Sequence, residues 1–482
     1  MSFFSSVFLI FFLITLYLWW RLPSAPSKRF LVFANSVFYA YWFPPALLIL
    51  LAVGIAAFFS AIQINKHPAN SKKWLIFNII VCLGLLVYFK YSNFLLDNFQ
   101  EIFGMFHGAF STAALVTILP LGISFYTFKA ISYSVDVYRK QQEAISNFVE
   151  FFLYLSFFPH LAAGPIVRAK NFIPQLEARK KPRFEDWQFA IYRIARGFFL
   201  KLIIADHIAT SVNAVFATDF QSLSVIPAWL GAIFFGVQIL CDFAGYSDIA
   251  IGLSRLMGFK TAENFDNPYL SSSLSEFWRR WHISLSSWFR DYVYFPLARS
   301  EWMNKIFYEP LVGSRLEGLR ASIPITIMFL LSGLWHGANW TYLLWGLLHG
   351  IGIVMERQTG IYAVQQRQDS KRLITRLVWG FAALLFITLA WVPFRSTNIA
   401  STFQYWNAMF FGGLSGNSLS STMLSGLFWL TIFLIYQLFM GLKKQQRFSY
   451  SLPTFQRVES LVYFAALLFI ANQPTDFIYF RF

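Results

Sequence analysis

Two histidines in apolar surroundings are the residues of this sequence best suited to chemistry. His336 follows Trp335 in LLSGLWHGANW, and His282 follows Trp281 in SEFWRRWHISL. An imidazole has an unperturbed pKa of about 6.5, so it can take a proton from a hydroxyl group near neutral pH. Because an apolar setting favours the neutral ring, His336 could act as a general base.

His336 interrupts a long apolar stretch. One apolar run ends at Leu334 and the next begins at Trp340, with His336-Gly337-Ala338-Asn339 near the break. A broken helix at membrane depth is tolerated only inside protein or beside a water-filled cavity, and an ionisable side chain there usually faces such a cavity. The residue types alone support a buried structural histidine and a functional histidine about equally.

The segment around His282 predicts an amphipathic helix. Ser273 and Glu276 form a capping-box pattern, so a helix is expected from Leu274. Apolar residues then recur at helical spacing: Leu274, Trp278, Trp281, Leu285 and Phe289. Such a helix, with Arg279 and Arg280 beside its apolar face, lies at a membrane interface or dips into the membrane. Taken alone, this pattern favours an interfacial anchor without chemistry.

Two acids also lie in apolar sequence, Asp242 and Asp248. Buried acids without a partner are costly, so pairing is expected with Arg255 or with an arginine of the following segment. A structural hydrogen-bond network and a role in a site remain open for both acids.

The composition indicates an integral membrane protein. Of the 482 residues, 57% are hydrophobic and only 13% are charged, and the mean hydropathy is +0.52. The net charge of +16 suggests cytoplasmic loops that face anionic lipid. Nucleic-acid binding is not expected, because the basic residues are scattered between apolar runs. The basic stretches Val167–Arg183, Arg357–Arg376 and Lys443–Arg457 are predicted to be cytoplasmic.

The apolar runs predict an all-α, polytopic membrane fold. We expect about eleven transmembrane helices, at roughly 20 apolar residues each, and one or two re-entrant pieces. Pro44-Pro45 should divide the run from Phe30 to Ile64, and Phe148–Ala163 is expected to be another span. Arg21 after the first run indicates that the N-terminus lies outside and Arg21 inside the cell. No soluble domain is expected within 1–482, which is read as a single transmembrane domain.

Several reaction classes lack their motifs. The chain has no phosphate-binding Walker loop, dinucleotide fingerprint, HExxH or GxSxG motif, so ATP-driven and nicotinamide chemistry are not expected. Its two cysteines, Cys82 and Cys241, lie in separate apolar stretches, and the histidines are dispersed, so no metal site is predicted.

Three motifs together resemble the membrane-bound O-acyltransferase family. They are FWRRWHISLSSWFRDYVYFPL, LSGLWHGANWTYLLWGLLHG and CDFAGYSDIAIG. The bacterial branch is the most similar, namely the membrane subunits of alginate and peptidoglycan O-acetylation and the D-alanyl transferase of teichoic acids. The resemblance extends along nearly the whole chain, including the C-terminal FIYFRF.

The resemblance implies a ring of spans around a central tunnel, with two functional histidines. The family's catalytic histidine falls on His336, and its second histidine falls on His282, which we expect to orient the donor or the other catalytic group. The implied acyl donor is a cytoplasmic thioester, either acetyl-CoA or an acyl carrier protein, and no bound cofactor is expected.

Further residues receive roles as expectations. Gly333 and Gly337 would let the backbone approach the donor's pantetheine arm. Arg279 and Arg280 are predicted to bind donor phosphates, with contact to lipid headgroups as the alternative. The predicted substrate- or tunnel-lining residues are Trp335, Asn339, Trp281, Trp278, Asp242 and Asp248.

The leading hypothesis is an O-acetyltransferase of the bacterial inner membrane that serves a cell-surface polysaccharide such as alginate or peptidoglycan. Its expected partners are a periplasmic acetyltransferase or acceptor protein, the polysaccharide and membrane lipids. A multispan transporter or lipid flippase is the alternative, although such proteins usually show related halves, which this sequence lacks. A scaffold with purely structural histidines is a third possibility.

Overall fold

The computed structural model describes residues 1–107, 118–161, 163–305, 322–359, 373–413, 420–444 and 452–470. These residues form helices and no β-strand, which confirms the predicted all-α class. They divide into two compact units. The first comprises residues 1–194 and 249–262, and the second comprises residues 195–248 and 263–482.

The first unit is built from the N-terminal helices. They are α1 (Ser6–Arg21), α2 (Ser24–Ala40), α3 (Ala46–Lys66), α4 (Ser71–Leu86), α5 (Ser92–His107), α6 (Ile123–Tyr138), α7 (Phe148–Ser156), α8 (Ala169–Ala178) and most of α9 (Phe184–Phe198). Pro44 and Pro45 separate α2 from α3, as predicted, because proline cannot donate the backbone hydrogen bond that continues a helix. Helix α8 lies within the basic stretch that was expected to be a loop.

Small polar side chains join the helices of this unit. Asn35 donates to the Ser156 hydroxyl at 3.3 Å, and Asn78 donates to the Ser134 hydroxyl at 2.9 Å. Such contacts are common between helices packed in lipid, where no water competes for them. The expected span Phe148–Ala163 was wrong, since α7 has nine residues and a short 3-10 turn follows at Phe158–His160.

The second unit contains the motifs with the histidines. Its helices are α10 (Asp206–Phe216), α11 (Val225–Leu256, of which the last residues belong to the first unit), α12 (Leu274–Arg280), α13 (Ile283–Phe289), α14 (Phe295–Ala298), α15 (Glu301–Met303), α16 (Ser322–His336), α17 (Trp340–Gln358), α18 (Leu373–Arg395), α19 (Ile399–Phe411), α20 (Ser421–Lys444) and α21 (Leu452–Ile470).

Within the described residues, six helices are long and apolar enough to cross a membrane. They are Ala46–Lys66, Pro68–Gly104, Phe184–Phe216, Val225–Leu256, Ile374–Arg395 and Ser421–Gly441. The second includes α4 and most of α5, joined by the π-helical segment Val87–Tyr91, and the third includes α9 and α10, joined by the π-helical segment Phe199–Ala205. Ser6–Arg21 and Ser322–His336 are shorter apolar helices. The count of about eleven spans stays a prediction. The basic stretches Arg357–Arg376 and Lys443–Arg457 lie partly, and FIYFRF wholly, outside the described residues.

Glycines allow α16 and α17 to pack closely. A Cβ atom at Gly333 would overlap the backbone carbonyl of Tyr342, and one at Gly337 would overlap the ring of Tyr342. A Cβ atom at Gly346 would in turn overlap the backbone carbonyl of Phe329. The expectation that Gly333 and Gly337 admit a pantetheine arm was therefore wrong, because protein atoms already occupy that space.

Candidate active site

The chain breaks at His336, as predicted. Helix α16 ends at His336 and α17 begins at Trp340. The Asn339 side chain begins α17 by accepting a hydrogen bond from the backbone N–H of Thr341 at 3.0 Å. Its amide nitrogen donates to the backbone carbonyl of Thr397 at 2.9 Å. Asn339 thus fixes the geometry of the break, while its predicted role in lining a tunnel stays a prediction.

Three aromatic rings surround the buried imidazole of His336. The ring centroids of Trp335, Trp345 and Phe394 lie 4.8, 5.0 and 5.0 Å from that of His336, all in edge-to-face arrangements. We call these three residues the aromatic enclosure. Rings packed this way exclude water from the imidazole, whose neutral form is the one that accepts a proton.

His282 lies at a second helix break, which the sequence did not predict. Instead of one amphipathic helix, the chain forms α12 and α13, and His282 between them adopts a left-handed backbone with φ 39° and ψ 54°. This conformation costs a residue other than glycine about 1–2 kcal/mol. The predicted cap at Ser273 is confirmed, because its hydroxyl accepts from the N–H of Glu276 at 3.1 Å.

A polar network fixes the proton of His282. The Asn264 side-chain oxygen lies 3.1 Å from Nδ1 of His282 and accepts from the N–H and hydroxyl of Ser284 at 3.3 and 2.8 Å. A backbone N–H can only donate, so the atom that faces it must be the amide oxygen. Nδ1 of a neutral His282 therefore carries the proton. Nε2 is left as an acceptor, buried and without a hydrogen-bond partner in the described part of the chain.

The two predicted histidines meet at one tryptophan. The ring of Trp335 lies 6.1 Å from that of His282 and 4.8 Å from that of His336, measured between centroids. The fold therefore brings together the two Trp-His pairs, which lie more than fifty residues apart in sequence.

A third histidine belongs to this cluster, and the sequence reasoning missed it. His349 is fully buried, its ring centroid lies 4.9 Å from that of Trp345, and its Nδ1 accepts from the indole N–H of Trp278 at 3.3 Å. The available signal was the spacing of Trp345 and His349, which places both on one face of α17.

Helix α17 also positions α12. The buried carboxylate of Glu356 accepts hydrogen bonds from the backbone N–H groups of Leu274 at 2.6 Å and of Ser275 at 3.2 Å. A carboxylate is favourable at a helix N-terminus, where N–H groups have no partner within the helix. Glu356 therefore holds the start of the His282 segment against α17, and this contact could not be read from the sequence.

The remaining predicted residues have defined places. Trp281 is buried and packs on Trp391 with 5.0 Å between ring centroids. Arg280 forms an ion pair with Glu276 at 2.5 Å, whereas Arg279 is exposed. Burial alone would raise the pKa of Glu276, but hydrogen bonds from Ser272 and the nearby arginine charges outweigh it and lower that pKa. The roles proposed for these side chains stay predictions.

Asp242 and Asp248 are paired, but not with the expected partners. Asp242 lies 2.7 Å from the Lys201 ammonium, which also contacts Asp206 at 2.8 Å, and Asp248 forms an ion pair with Arg196. Arg255 pairs instead with Asp186. The expectation of Arg255 or a downstream arginine was wrong, because both basic partners of these acids precede them in the chain. Among the described residues, no group of three or more His, Cys, Asp or Glu side chains could hold a metal ion.

Comparison with known proteins identifies the family. The model of the membrane-bound O-acyltransferase family matches residues 36–307 and 300–395, which together cover well over half of the chain. The chain belongs to the membrane-bound O-acyltransferase family. This O-acyltransferase is a multispan membrane protein, consistent with its long apolar helices.

Its relatives act on different acceptors. The chain is 37% identical over 451 residues to the probable alginate O-acetylase AlgI of Pseudomonas aeruginosa, covering 92% of this chain and 82% of that protein. It is 34% identical over 421 residues to the peptidoglycan O-acetyltransferase of Helicobacter pylori, covering 81% and 75%. It is 32% identical over 243 residues to the teichoic acid D-alanyltransferase of Streptococcus thermophilus, covering 49% and 56%.

Proposed function

We propose that this O-acyltransferase moves an acetyl group from a cytoplasmic thioester, acetyl-CoA or an acyl carrier protein, across the bacterial inner membrane to serve a cell-surface polysaccharide. The similarity to an alginate O-acetylase and a peptidoglycan O-acetyltransferase supports the acetyl group and a polysaccharide such as alginate or peptidoglycan. A periplasmic acetyltransferase or acceptor protein would receive the group or pass it on. Membership of an acyltransferase family weighs against the transporter alternative.

The observation that carries the proposal is the enclosure of His336 at the break between α16 and α17. In the proposed reaction, His336 takes the proton of the acceptor hydroxyl while the hydroxyl oxygen attacks the carbonyl carbon of the thioester. The carbon–sulfur bond then breaks, and the thiolate receives the proton from His336. Nε2 of His282, as a fixed acceptor, would orient an O–H or N–H group of either substrate.

The test is His336→Ala. Losing a general base typically costs about 10²–10⁴-fold in rate, whereas losing a structural histidine would mainly lower stability by about 1–3 kcal/mol for the partner left unpaired. The variant is expressed in a strain from which the native gene has been deleted. The ester-linked acetate that mild alkali releases from the envelope measures transfer, and the melting temperature of the purified variant measures stability. A well-folded variant that still transfers acetate normally would overturn the assignment of His336.

The same strain identifies the acceptor. Alkali-labile acetate is measured separately in the extracted exopolysaccharide and in the purified peptidoglycan sacculus, with and without the gene for this protein. Loss of acetate from one fraction names the acceptor polymer, and unchanged acetate in every envelope fraction would refute a role in polysaccharide acetylation.

The direction of transfer depends on topology. We expect the stretches Val167–Arg183, Arg357–Arg376 and Lys443–Arg457 to face the cytoplasm and the N-terminus to face the periplasm, because basic residues concentrate on the cytoplasmic side. Single cysteines placed in these stretches should react with an impermeant maleimide only after permeabilisation. Labelling in intact spheroplasts would contradict the predicted orientation and, with it, the proposed direction of transfer.

A further inference from the structure

Two neighbouring side chains of α17 present buried polar atoms that no described atom satisfies. Trp345 and His349 lie four residues apart and are both fully buried, with ring centroids 4.9 Å apart. In the part of the chain that the structure describes, neither Nε1 of Trp345 nor Nε2 of His349 has a hydrogen-bond partner. Buried polar atoms almost always have one, so the pair requires an explanation.

Both atoms are hydrogen-bond donors. An indole nitrogen can only donate, so the contact of 3.3 Å from Nε1 of Trp278 makes Nδ1 of His349 an acceptor. A neutral imidazole carries one proton, and in His349 that proton must therefore be on Nε2. Trp345 and His349 thus offer two N–H groups from adjacent turns of one helix.

Packing alone does not account for a histidine at this position. Besides the two tryptophans, the His349 ring faces Phe386 at 5.7 Å and Phe329 at 6.1 Å between centroids. A phenylalanine would fill the same space, although it would leave the indole N–H of Trp278 without its acceptor. The histidine adds two nitrogens: one is hydrogen-bonded to Trp278, and the other carries an N–H group that has no acceptor among the described residues.

The donors lie beside the proposed base. The Trp345 ring that packs on His349 also lies 5.0 Å from the His336 ring, so one tryptophan contacts both histidines. An uncharged oxygen that gains negative charge during the reaction is the acceptor best matched to two neutral donors inside aromatic walls.

We propose that the N–H groups of Trp345 and His349 bind the carbonyl oxygen of the acyl group, an inference that rests on the proposed function. As His336 takes the hydroxyl proton, the hydroxyl oxygen bonds to the carbonyl carbon and the π electron pair moves onto the carbonyl oxygen. The two donors stabilise that charge. The electron pair then re-forms the carbonyl π bond as the carbon–sulfur bond breaks. The thiolate takes its proton from His336, which leaves an ester and a free thiol.

The test uses two variants that remove a donor and one that replaces it. Trp345→Phe and His349→Phe each keep a ring but delete an N–H group, whereas His349→Gln places an amide N–H near the position of Nε2. Removing one such donor should lower the rate of ester-linked acetate formation by about 10²-fold. His349→Gln should recover much of that loss, which a purely structural role of the ring would not produce.

Trp406→Phe is the matched control for the loss of an indole. Its Nε1 donates to the backbone carbonyl of Leu389 at 3.2 Å, so this variant loses volume and a satisfied hydrogen bond. It should melt at least as far below wild type as Trp345→Phe, yet transfer acetate normally at equal protein abundance.

His336→Ala, measured in parallel, separates the two proposals. Normal transfer by His336→Ala would overturn the assignment of His336 as the base, whereas unchanged envelope acetate in the strain without the gene would refute the proposed function itself. If His336→Ala is inactive but Trp345→Phe and His349→Phe have wild-type rates, only the donor pair is overturned. The donor pair is also overturned if His349→Phe and His349→Gln lose the same activity while Trp345→Phe is normal. If His349→Phe does not fold, Trp345→Phe is compared with Trp406→Phe. Equal transfer rates of these two variants would overturn the donor pair, and a much lower rate for Trp345→Phe would support it.

Discussion

The two Trp-His segments of the second unit hold their imidazoles by opposite means. Hydrogen bonds to Asn264 and a left-handed backbone hold His282, so its orientation and its proton are both specified. Around His336, three rings of the aromatic enclosure pack edge-to-face against the imidazole. The comparison fits a division of labour, in which His282 offers a fixed acceptor and His336 acts as the proposed base.

The largest expected effect comes from removing the amide that holds His282. Asn264→Leu leaves the Nδ1–H of His282 and two donors of Ser284 without an acceptor, at about 1–3 kcal/mol for each buried group. We expect a large fall in melting temperature and loss of transfer. Ser247→Ala is the control, because it removes only the acceptor of the Asn264 amide N–H at 3.0 Å and should cost much less. Equal stability of the two variants would show that the network does not hold His282.

A second substitution separates the role of Nδ1 of His282, which donates to Asn264, from the role of its acceptor nitrogen Nε2. Asparagine tolerates the left-handed backbone and can donate to Asn264 in place of Nδ1, so His282→Asn should remain folded. It loses the Nε2 acceptor, and we expect transfer to fall about tenfold, the upper range for a single neutral hydrogen bond. His282→Ala should lose stability as well. Normal transfer by His282→Asn would confine His282 to a structural role.

The enclosure of His336 should tolerate change better than the network of His282. Phe394→Leu removes one ring of the enclosure but adds no unpaired polar group, so we expect a loss of about 1 kcal/mol in stability and a modest decrease in transfer. The exposed Phe403→Leu serves as control. A loss of stability as large as that of Asn264→Leu would abolish the distinction between the two segments.

The smallest effect is expected at the arginines beside His282. Arg279 is exposed to solvent, whereas Arg280 is half-buried, so Arg279→Gln should weaken binding of a phosphate-bearing donor more than Arg280→Gln. The difference should be within about 1 kcal/mol and should shrink in high salt. Equal donor affinity of both variants and wild type, measured by titration with CoA, would leave only contact with lipid headgroups.

The sequence predicted the features that depend on local patterns. Polar residues between two apolar runs indicated the break at His336, two prolines indicated the break between α2 and α3, and Ser273 indicated the start of α12. Each follows from one stretch of chain, because backbone hydrogen bonds within a helix are local.

The features that were missed depend on contacts between distant residues. Regular apolar spacing continues through Trp281-His282, yet tertiary contacts from Asn264 break the helix there and impose a left-handed backbone. The cap that Glu356 supplies to α12 crosses more than eighty residues, and the partners of Asp242 and Asp248 come from an earlier helix. Helix propensity and apolar periodicity do not encode such pairings, so these hydrogen bonds and ion pairs could not be predicted from the sequence.

The ion pairs of Lys201 with Asp242 and of Arg196 with Asp248 also constrain how the protein is made. Placing one such charge at the centre of a bilayer-spanning helix costs about 2.5–3.5 kcal/mol during insertion. Lys201 also contacts Asp206 of its own helix, but its pair with Asp242 and the pair of Arg196 with Asp248 form only when the helix Phe184–Phe216 meets the helix Val225–Leu256. We therefore expect these two helices to enter the lipid together as a hairpin rather than one at a time.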